Sequence, residues 1–189
     1  MLNIAFKEWA AVCDALALGR QSLIIRKGGI AEDKGEFRPE HDTFLLQPTY
    51  FHEQQQMGLK PTAADLLARA DMNRPQMGTI RFGHFAKAEK VIKVEQLEPL
   101  LKLEPLHVWT NETVMQRFHY RWPGLYVFIV RVYALPTPVI LPDEPEYAGC
   151  KTWVPLRQAI SIDGAKPVLS DSDYEAAAAT VMAVLNASK

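Results

Sequence analysis

Cysteine is scarce in this sequence of 189 residues, which contains only Cys13 and Cys150. Cys13 stands among apolar residues in a helical pattern, where a free thiol behaves as a small hydrophobic side chain. This excludes a scaffold held together by many disulfides and favours a reducing compartment. The chain needs no such cross-links, because its length and its 48% of hydrophobic residues suffice for a buried core.

An excess of charge of either sign is also missing, since 21 basic and 22 acidic residues give a net charge of -1. Any affinity for nucleic acid or an anionic membrane must therefore come from a local patch. The longest apolar stretch, residues 125–141, is interrupted by Arg131 and two prolines and is too broken to span a bilayer. Lys7 and Glu8 likewise interrupt the apolar start, unlike a signal peptide. The sequence predicts a cytoplasmic protein without membrane contact.

The common catalytic signatures are missing as well. There is no GxxxxGK[ST] loop, GxGxxG turn, HExxH helix, CxxC pair or GxSxG elbow. Asp143, Glu146 and Lys151 are the residue types of a restriction-type nuclease site, but the five-residue separation of the last two does not fit acid and lysine alternating on one strand. Two histidines in separate elements, His41 and His52, are too few for a metal site. No metal and no cofactor is predicted.

What is present is a pattern of short apolar segments. Spacings of three and four predict an amphipathic helix from Leu2 that ends near Gly19. Short apolar runs predict strands at residues 21–25, 43–47, 139–141 and 152–154, and a β-branched and aromatic run predicts a strand at 125–135. A hairpin is predicted within residues 79–94, with a turn near Ala88 and Glu89. Thr110 or Asn111 is expected to cap one helix. Ser172 with Glu175 predicts a capping box for the alanine-rich C-terminal helix.

The arrangement of these segments predicts the fold class. Strands cluster without the regular alternation with helices that a parallel, doubly wound sheet requires. We therefore expect an α+β fold with a mixed or mostly antiparallel sheet and packed helices. No internal repeat or long linker is present, so residues 1–189 are predicted to form a single domain. Nothing in the sequence indicates the oligomeric state.

Residue types suited to ligand binding are densest between Arg26 and Glu53. Arg26 and Lys27 end a predicted strand and are followed by Gly28 and Gly29, whose backbone amides could approach an anion closely. The functional interpretation is capture of a phosphate or carboxylate by two cations and these amides. The structural alternative is a solvated basic turn.

The same segment continues beyond the next strand. Pro48 and Thr49 are predicted to open a helix whose first N–H groups, with the Tyr50 ring, face the ligand. His41 and His52 are candidate general acids or bases, because imidazole titrates near neutral pH. The alternatives are a plain cap at Thr49 and histidines that only pack or bond to backbone.

One tryptophan is a candidate platform for a nucleic acid base. Trp122 stands beside Pro123 at a predicted turn, with Arg117 and Arg121 nearby, and could stack on a base. Trp153, inside a strand pattern, is interpreted as a core residue.

Six segments of the chain resemble a known family. They are Glu8-Trp9; GRQ at 19–21 with RKGGI at 26–30; FRPEHDTFLLQPTYFH at 37–52; RVYAL at 131–135; YAGC at 147–150 with WVPL at 153–156; and PVL at 167–169 with Asp171. With these segments the chain resembles an uncharacterised bacterial family known as domain of unknown function 1802. Gln47 departs from the pattern, where an apolar residue is expected. Some relatives are joined to restriction-endonuclease-like domains, and this association implies a link to nucleic acid.

Three functional hypotheses follow. The first is a nucleic-acid recognition or accessory module of a restriction or defence system, with Arg26 and Lys27 on phosphate and His41, Tyr50 and His52 on a base or sugar. The second is a small hydrolase or transferase for a phosphorylated or otherwise anionic metabolite, in which a histidine moves a proton and the two cations hold the substrate. The third is a scaffold that only shapes a partner surface. Convergence of these residues on one pocket would favour a ligand site.

Overall fold

The fold is described from a computed structural model over residues 1–27, 41–50, 57–149 and 151–187. Within these ranges the strands are β1 Leu2–Trp9, β2 Leu23–Arg26, β3 Thr43–Thr49, β4 Thr79–Val94, β5 Leu125–Pro142, β6 Trp153–Ile160 and β7 Lys166–Pro167. The α-helices are α1 Ala10–Ala17, α2 Ala64–Met72, α3 Leu97–Lys102, α4 Asn111–His119 and α5 Asp171–Asn186. None of the helices in the described ranges is long and apolar enough to cross a membrane.

The strands form one sheet in the order β2-β5-β4-β3-β1-β6, with β7 paired to β5. Only the β1–β3 pair is parallel among the described strands, and the others are antiparallel. The predicted α+β class with a mixed, mostly antiparallel sheet is therefore confirmed. The run at 125–135 is an interior strand of the sheet as expected, because β5 lies between β2 and β4 and pairs with both.

The predicted N-terminal helix is wrong over its first half. Leu2 to Trp9 form β1, and the helix begins only at Ala10. The reason is tertiary, because β1 lies between β3 and β6 and both ladders satisfy its backbone groups. The buried neighbours Ala5 and Phe6 contribute to clusters on opposite faces of the sheet, as strand geometry requires.

The predicted hairpin within residues 79–94 is also wrong, because β4 is one continuous strand. Its ladder with β5 shifts register between Ala88 and Lys90, so the interruption at Glu89 is a β-bulge. A second shift lies between Phe82 and His84. Bulges bend a strand without reversing it, which is why the broken pattern resembled a turn.

The helix termini were predicted more closely. Thr110 caps α4 as expected, and its side chain accepts a hydrogen bond from the Thr113 N–H. The C-terminal helix is confirmed, but its cap is Ser170, which accepts from the Asp173 N–H at 3.2 Å. Ser172 lies inside the first turn, so the predicted cap was two residues too late.

The sheet curls until its two edges approach each other. The Arg26 guanidinium on β2 lies 3.4 and 3.3 Å, through Nε and Nη2, from the hydroxyl of Thr152, which immediately precedes β6. Phe6 and Phe128 contact with ring centroids 5.8 Å apart, although β3 and β4 separate their strands in the sheet order. This curl brings the C-terminal ends of β1, β2 and β3 to one rim.

Candidate functional site

A cleft of about 710 Å³ opens at this rim, and we refer to it as the rim cleft. Its floor is formed by the ends of β1, β2 and β3, and its walls by the start of β4, the segment around Asp143 and the segment that leads into β6. The charged residues that line it are Lys7, Glu8, Arg26, Lys27, Arg74, Asp143 and Lys151. Among the described residues, cations therefore outnumber carboxylates by five to two at this surface.

The rim cleft brings together half of the residues predicted to form the site. The predicted residues that line it are Arg26, Lys27, Thr49 and Tyr50. The predicted residues that lie outside the described ranges are Gly28, Gly29 and His52. His41 is described but does not belong to the lining.

His41 packs against the aromatic core behind the cleft. Its ring lies edge-on to Trp153, with centroids 5.3 Å apart, and Trp153 in turn contacts Phe6 at 4.9 Å. The Arg26 guanidinium lies 5.4 Å above the Phe6 ring. The rings of Trp153 and Phe6 therefore lie between His41 and Arg26. An acid or base role for His41 stays a prediction.

Thr49 is not a helix cap, which corrects the predicted helix start at Pro48 and Thr49. Both residues lie in β3 and pair with Glu8 and Trp9 of β1. The Thr49 hydroxyl donates to the Glu8 carbonyl at 3.0 Å. The strand continues through Pro48 because parallel pairing with β1 extends to its last residue, and the Thr49 side chain reinforces that pairing.

Glu8 is a buried carboxylate directly behind Arg26. Its side chain is 0% exposed, and Oε1 accepts from the Trp9 N–H at 2.8 Å. Oε2 lies 3.8 Å from Arg26 Nη1 and has no hydrogen-bond partner within the described part of the chain. Sequence reasoning missed Glu8 because the predicted helix would have left it on a polar face. The sequence feature that could have identified Glu8 is the Glu8-Trp9 pair, which is one of the six segments that resemble the family.

A second guanidinium lies near the same carboxylate. Arg117 is sandwiched between Trp9 and Trp109, 4.7 and 5.2 Å from the two ring centroids, and its Nη1 donates to the Ile25 carbonyl at 3.3 Å. Burial lowers the pKa of Arg117 to about 10, while Glu8 opposes that shift. Glu8 therefore balances positive charge from both Arg26 and Arg117 beneath the cleft.

The Lys27 side chain forms hydrogen bonds at the C-terminal end of a helix. Its ammonium donates to the carbonyls of Phe118 at 2.8 Å, Gly124 at 2.9 Å and Trp122. Phe118 belongs to the last turn of α4, so Lys27 supplies the positive charge that stabilises a helix C-terminus. Burial lowers the pKa of Lys27. Three carbonyls account for its three donor positions in this arrangement.

The other lysines of the cleft are held in the same way. The Lys7 ammonium donates to the carbonyls of Tyr147 and Gly149, and Lys151 donates to the Glu146 carbonyl at 3.0 Å. These contacts tie the segment before β6 to the rim. They keep the charge of each ammonium but fix its position.

Aromatic rings and guanidinium groups alternate around the mouth of the cleft. Arg74 lies 5.2 Å above the Tyr50 ring, and Arg121 lies 5.3 Å above the Tyr120 ring. Tyr120 is 49% exposed and Trp122 is 47% exposed, so both rings offer a face to a ligand. Burial raises the pKa of Tyr50 to about 12, which keeps its phenol neutral. Trp122 lies beside the cleft lining, with its ring centroid 6.0 Å from the Lys27 ammonium, and its role as a base platform stays a prediction.

These groups suit the cleft to bind an extended anionic ligand that carries flat rings. Within the described ranges, no three His, Cys, Asp or Glu side chains converge in a way that could hold a metal ion. The cleft supplies positive charge, hydrogen-bond donors and aromatic surface from side chains alone.

Comparison with known proteins gives a family but no characterised relative. No curated protein and no solved structure matched the chain. A family model described as Domain of unknown function (DUF1802) matches residues 5–180, which is nearly the whole chain. The chain therefore belongs to the DUF1802 family.

Proposed function

We propose that the rim cleft binds a single strand of nucleic acid, and that the protein is a recognition or accessory module of a restriction or defence system. Phosphate groups lie against Arg26 and Arg74, and bases stack on Tyr120 and Trp122. One observation carries the proposal: the guanidinium groups of Arg26 and Arg74 and the exposed ring of Tyr120 line the same open cleft, and the exposed ring of Trp122 lies beside it next to Lys27. Proteins that bind single strands combine these two features.

The charge distribution supports binding that is confined to the cleft. A net charge of -1 offers no long-range attraction, so binding must come from the local surplus of cations in the cleft. The exposed rings favour a single strand over a duplex, because bases in a duplex are already stacked on each other.

Fluorescence anisotropy with labelled single-stranded DNA, single-stranded RNA and duplex DNA tests this proposal at several salt concentrations. We expect single strands to bind more tightly than the duplex. Tyr120→Ala and Trp122→Ala should each weaken binding by about 5- to 150-fold, since stacking on an aromatic ring contributes about 1–3 kcal/mol per base. Arg74→Gln should remove one phosphate contact, so the slope of log binding constant against log salt concentration should decrease in magnitude by about one.

The matched control is Lys102→Gln, because Lys102 is an exposed cation on α3 that pairs with Glu98 and does not line the cleft. This variant should bind as the wild type does. Absence of strand binding at low salt, or equal binding by the tyrosine, tryptophan and control variants, would overturn the proposal.

A second function is favoured by the unpartnered Oε2 of Glu8 beside Arg26. A buried carboxylate next to a guanidinium could take a proton from a nucleophile while the cation holds an anionic substrate, as in a small hydrolase or transferase. Turnover of a panel of phosphomonoesters and carboxylate esters tests this alternative. Activity that Glu8→Gln abolishes without unfolding the protein would support it, and no turnover across the panel would count against it.

A further inference from the structure

A second, smaller hollow lies beside the rim cleft and shares Pro48 and Tyr50 with it. We refer to it as the inner cavity. Its volume is about 100 Å³, which is space for a few water molecules and therefore for a small ion but not for a nucleotide. The polar side chains that line it come from α1, α2, β4 and the end of β3, and they are Asp14, Arg69, Asn73, Arg81, His84 and Tyr50.

A β-bulge brings two of these side chains to one side of β4. Arg81 and His84 are three residues apart, so in a regular strand they would point to opposite faces. The ladder with β5 is interrupted between Phe82 and His84, where Gly83 stands opposite the unpaired residues 135–138 of β5, and both side chains reach the cavity. A Cβ added to Gly83 would lie 3.5 Å from Arg81 Nη1, so the guanidinium lies across the bulge. Bulges often re-aim side chains beside functional sites.

The inner cavity holds more positive than negative charge, because two guanidinium groups and one carboxylate line it. Arg69 Nε lies 3.5 Å from Asp14 Oδ1, so these two residues pair with each other. None of the ion pairs between described residues involves Arg81. A surplus positive charge therefore faces a small, partly open polar space.

The remaining groups supply both hydrogen-bond donors and an acceptor. Burial, together with the nearby charges of Arg81 and Arg69, lowers the pKa of His84 to about 4, so the imidazole is neutral at physiological pH and offers one N–H. Asn73 adds an amide. Burial raises the pKa of Asp14, which Arg69 and Arg81 oppose, and its carboxylate is an acceptor. An anion that fits must accept from several donors and also donate to Asp14.

We propose that the inner cavity binds a small oxyanion that carries a proton, and that inorganic phosphate is the simplest such ligand. Arg81 holds the negative charge, His84 and Asn73 donate to its oxygens, and its P–OH group donates to Asp14. Sulfate has the same shape but no proton at neutral pH, so its oxygens would face the Asp14 carboxylate and be repelled. The cavity therefore selects phosphate over sulfate.

Isothermal titration calorimetry of the full chain with phosphate and with sulfate, at equal ionic strength in chloride, tests the proposal. We expect phosphate to bind at least 10-fold more tightly than sulfate at pH 7. Arg81→Gln should weaken phosphate binding at least 10-fold. Arg157→Gln is the matched control, because Arg157 is an exposed guanidinium that pairs with Glu144 and Glu146 away from the cavity.

Asp14→Asn should strengthen the binding of one anion, whereas misfolding would weaken the binding of both. An amide can donate to an aprotic oxygen, so sulfate should bind this variant more tightly than it binds the wild type, and the selectivity for phosphate should disappear. Equal affinity of the wild type for both anions would overturn the proposal. So would unchanged phosphate binding by Arg81→Gln, or no phosphate binding at millimolar concentration.

A nuclear magnetic resonance titration of His84 provides an independent readout. The groups that face its ring from the packed elements are Arg81, Arg69, Asn73, Asp14, Cys13 and Tyr50. A bound anion stabilises the imidazolium, so saturating phosphate should raise the pKa of His84 from about 4. An unchanged pKa would show that the anion binds elsewhere. Arg81 does not line the rim cleft, so Arg81→Gln should leave strand binding unchanged.

Discussion

The rim cleft and the inner cavity share Pro48 and Tyr50 but hold their charged groups differently. In the open cleft, the ammonium groups of Lys7 and Lys27 donate hydrogen bonds to main-chain carbonyls. In the inner cavity, charged side chains face one another, and burial shifts their pKa values. The difference fits the two proposals, in which the cleft makes many weak contacts with an extended ligand and the cavity makes a few strong contacts with one ion.

Removing the carboxylate beneath the cleft should have the largest effect on stability. Glu8→Ala leaves Arg26 and Arg117 without their buried counter-charge and the Trp9 N–H without its acceptor. Breaking such a buried pair costs about 3–5 kcal/mol of the free energy of unfolding. Urea unfolding monitored by circular dichroism measures the loss.

The control for this prediction is Glu98→Ala, because Glu98 forms an exposed ion pair with Lys102 on the surface of α3. That change should have little effect on unfolding. A Glu8→Ala variant as stable as the control would show that the buried carboxylate does not hold the floor of the cleft together.

Acid should destabilise the protein through the histidine of the inner cavity. The pKa of His84 is about 4 in the folded chain against an ordinary 6.5, so between these pH values the unfolded chain binds more protons. Stability is therefore fully present above pH 6.5 and is lost as pH falls toward 4, by at most about 3 kcal/mol. Unfolding free energies measured for the wild type and His84→Gln from pH 7 to pH 4 check this slope.

His107 provides a comparison outside the cavity, because burial also lowers its pKa to about 4. His107→Gln should reduce the acid sensitivity in the same sense. Phosphate should alter the pH dependence contributed by His84 and leave that of His107 unchanged. The same response of both histidines to phosphate would contradict a site confined to the inner cavity.

Lys27→Met tests whether Lys27 stabilises the fold or contacts the ligand. Removing the ammonium from the carbonyls of Phe118, Trp122 and Gly124 should lower stability by about 1–2 kcal/mol. The salt slope of strand binding should stay as it is in the wild type. A slope reduced by about one would instead show that Lys27 contacts a phosphate. Lys102→Met is the matched control for both measurements.

The smallest effect is expected at His41. His41→Ala removes an edge-on contact with the Trp153 ring, which is worth about 0.5–1.5 kcal/mol. Strand binding should not change, because His41 does not line the rim cleft. Weakened binding or lost turnover, with only this small loss of stability, would establish the acid–base or ligand role that the sequence suggests for His41.

Local sequence patterns predicted the parts of the fold that depend on neighbouring residues. The apolar runs at residues 43–47 and 125–135 lie in strands, and Thr110 caps a helix, because local hydrophobic patterns and short-range hydrogen bonds indicate both. The same reasoning placed Arg26 at a strand end, where it lines the rim cleft. This prediction did not depend on the order of the strands, because a basic residue that follows an apolar strand is exposed at the strand end in many arrangements of a sheet.

Long-range pairing decided the rest. Glu8 became a buried carboxylate only because β1 pairs with both β3 and β6, whereas its local spacing favoured a helix. Arg81 and His84 share the inner cavity only because the ladder with β5 shifts at Gly83. The sequence by itself determined the α+β class, most of the strands and the basic end of β2. Tertiary structure alone decided which distant side chains meet, since strand register and the curl of the sheet arise from contacts between residues far apart in the chain.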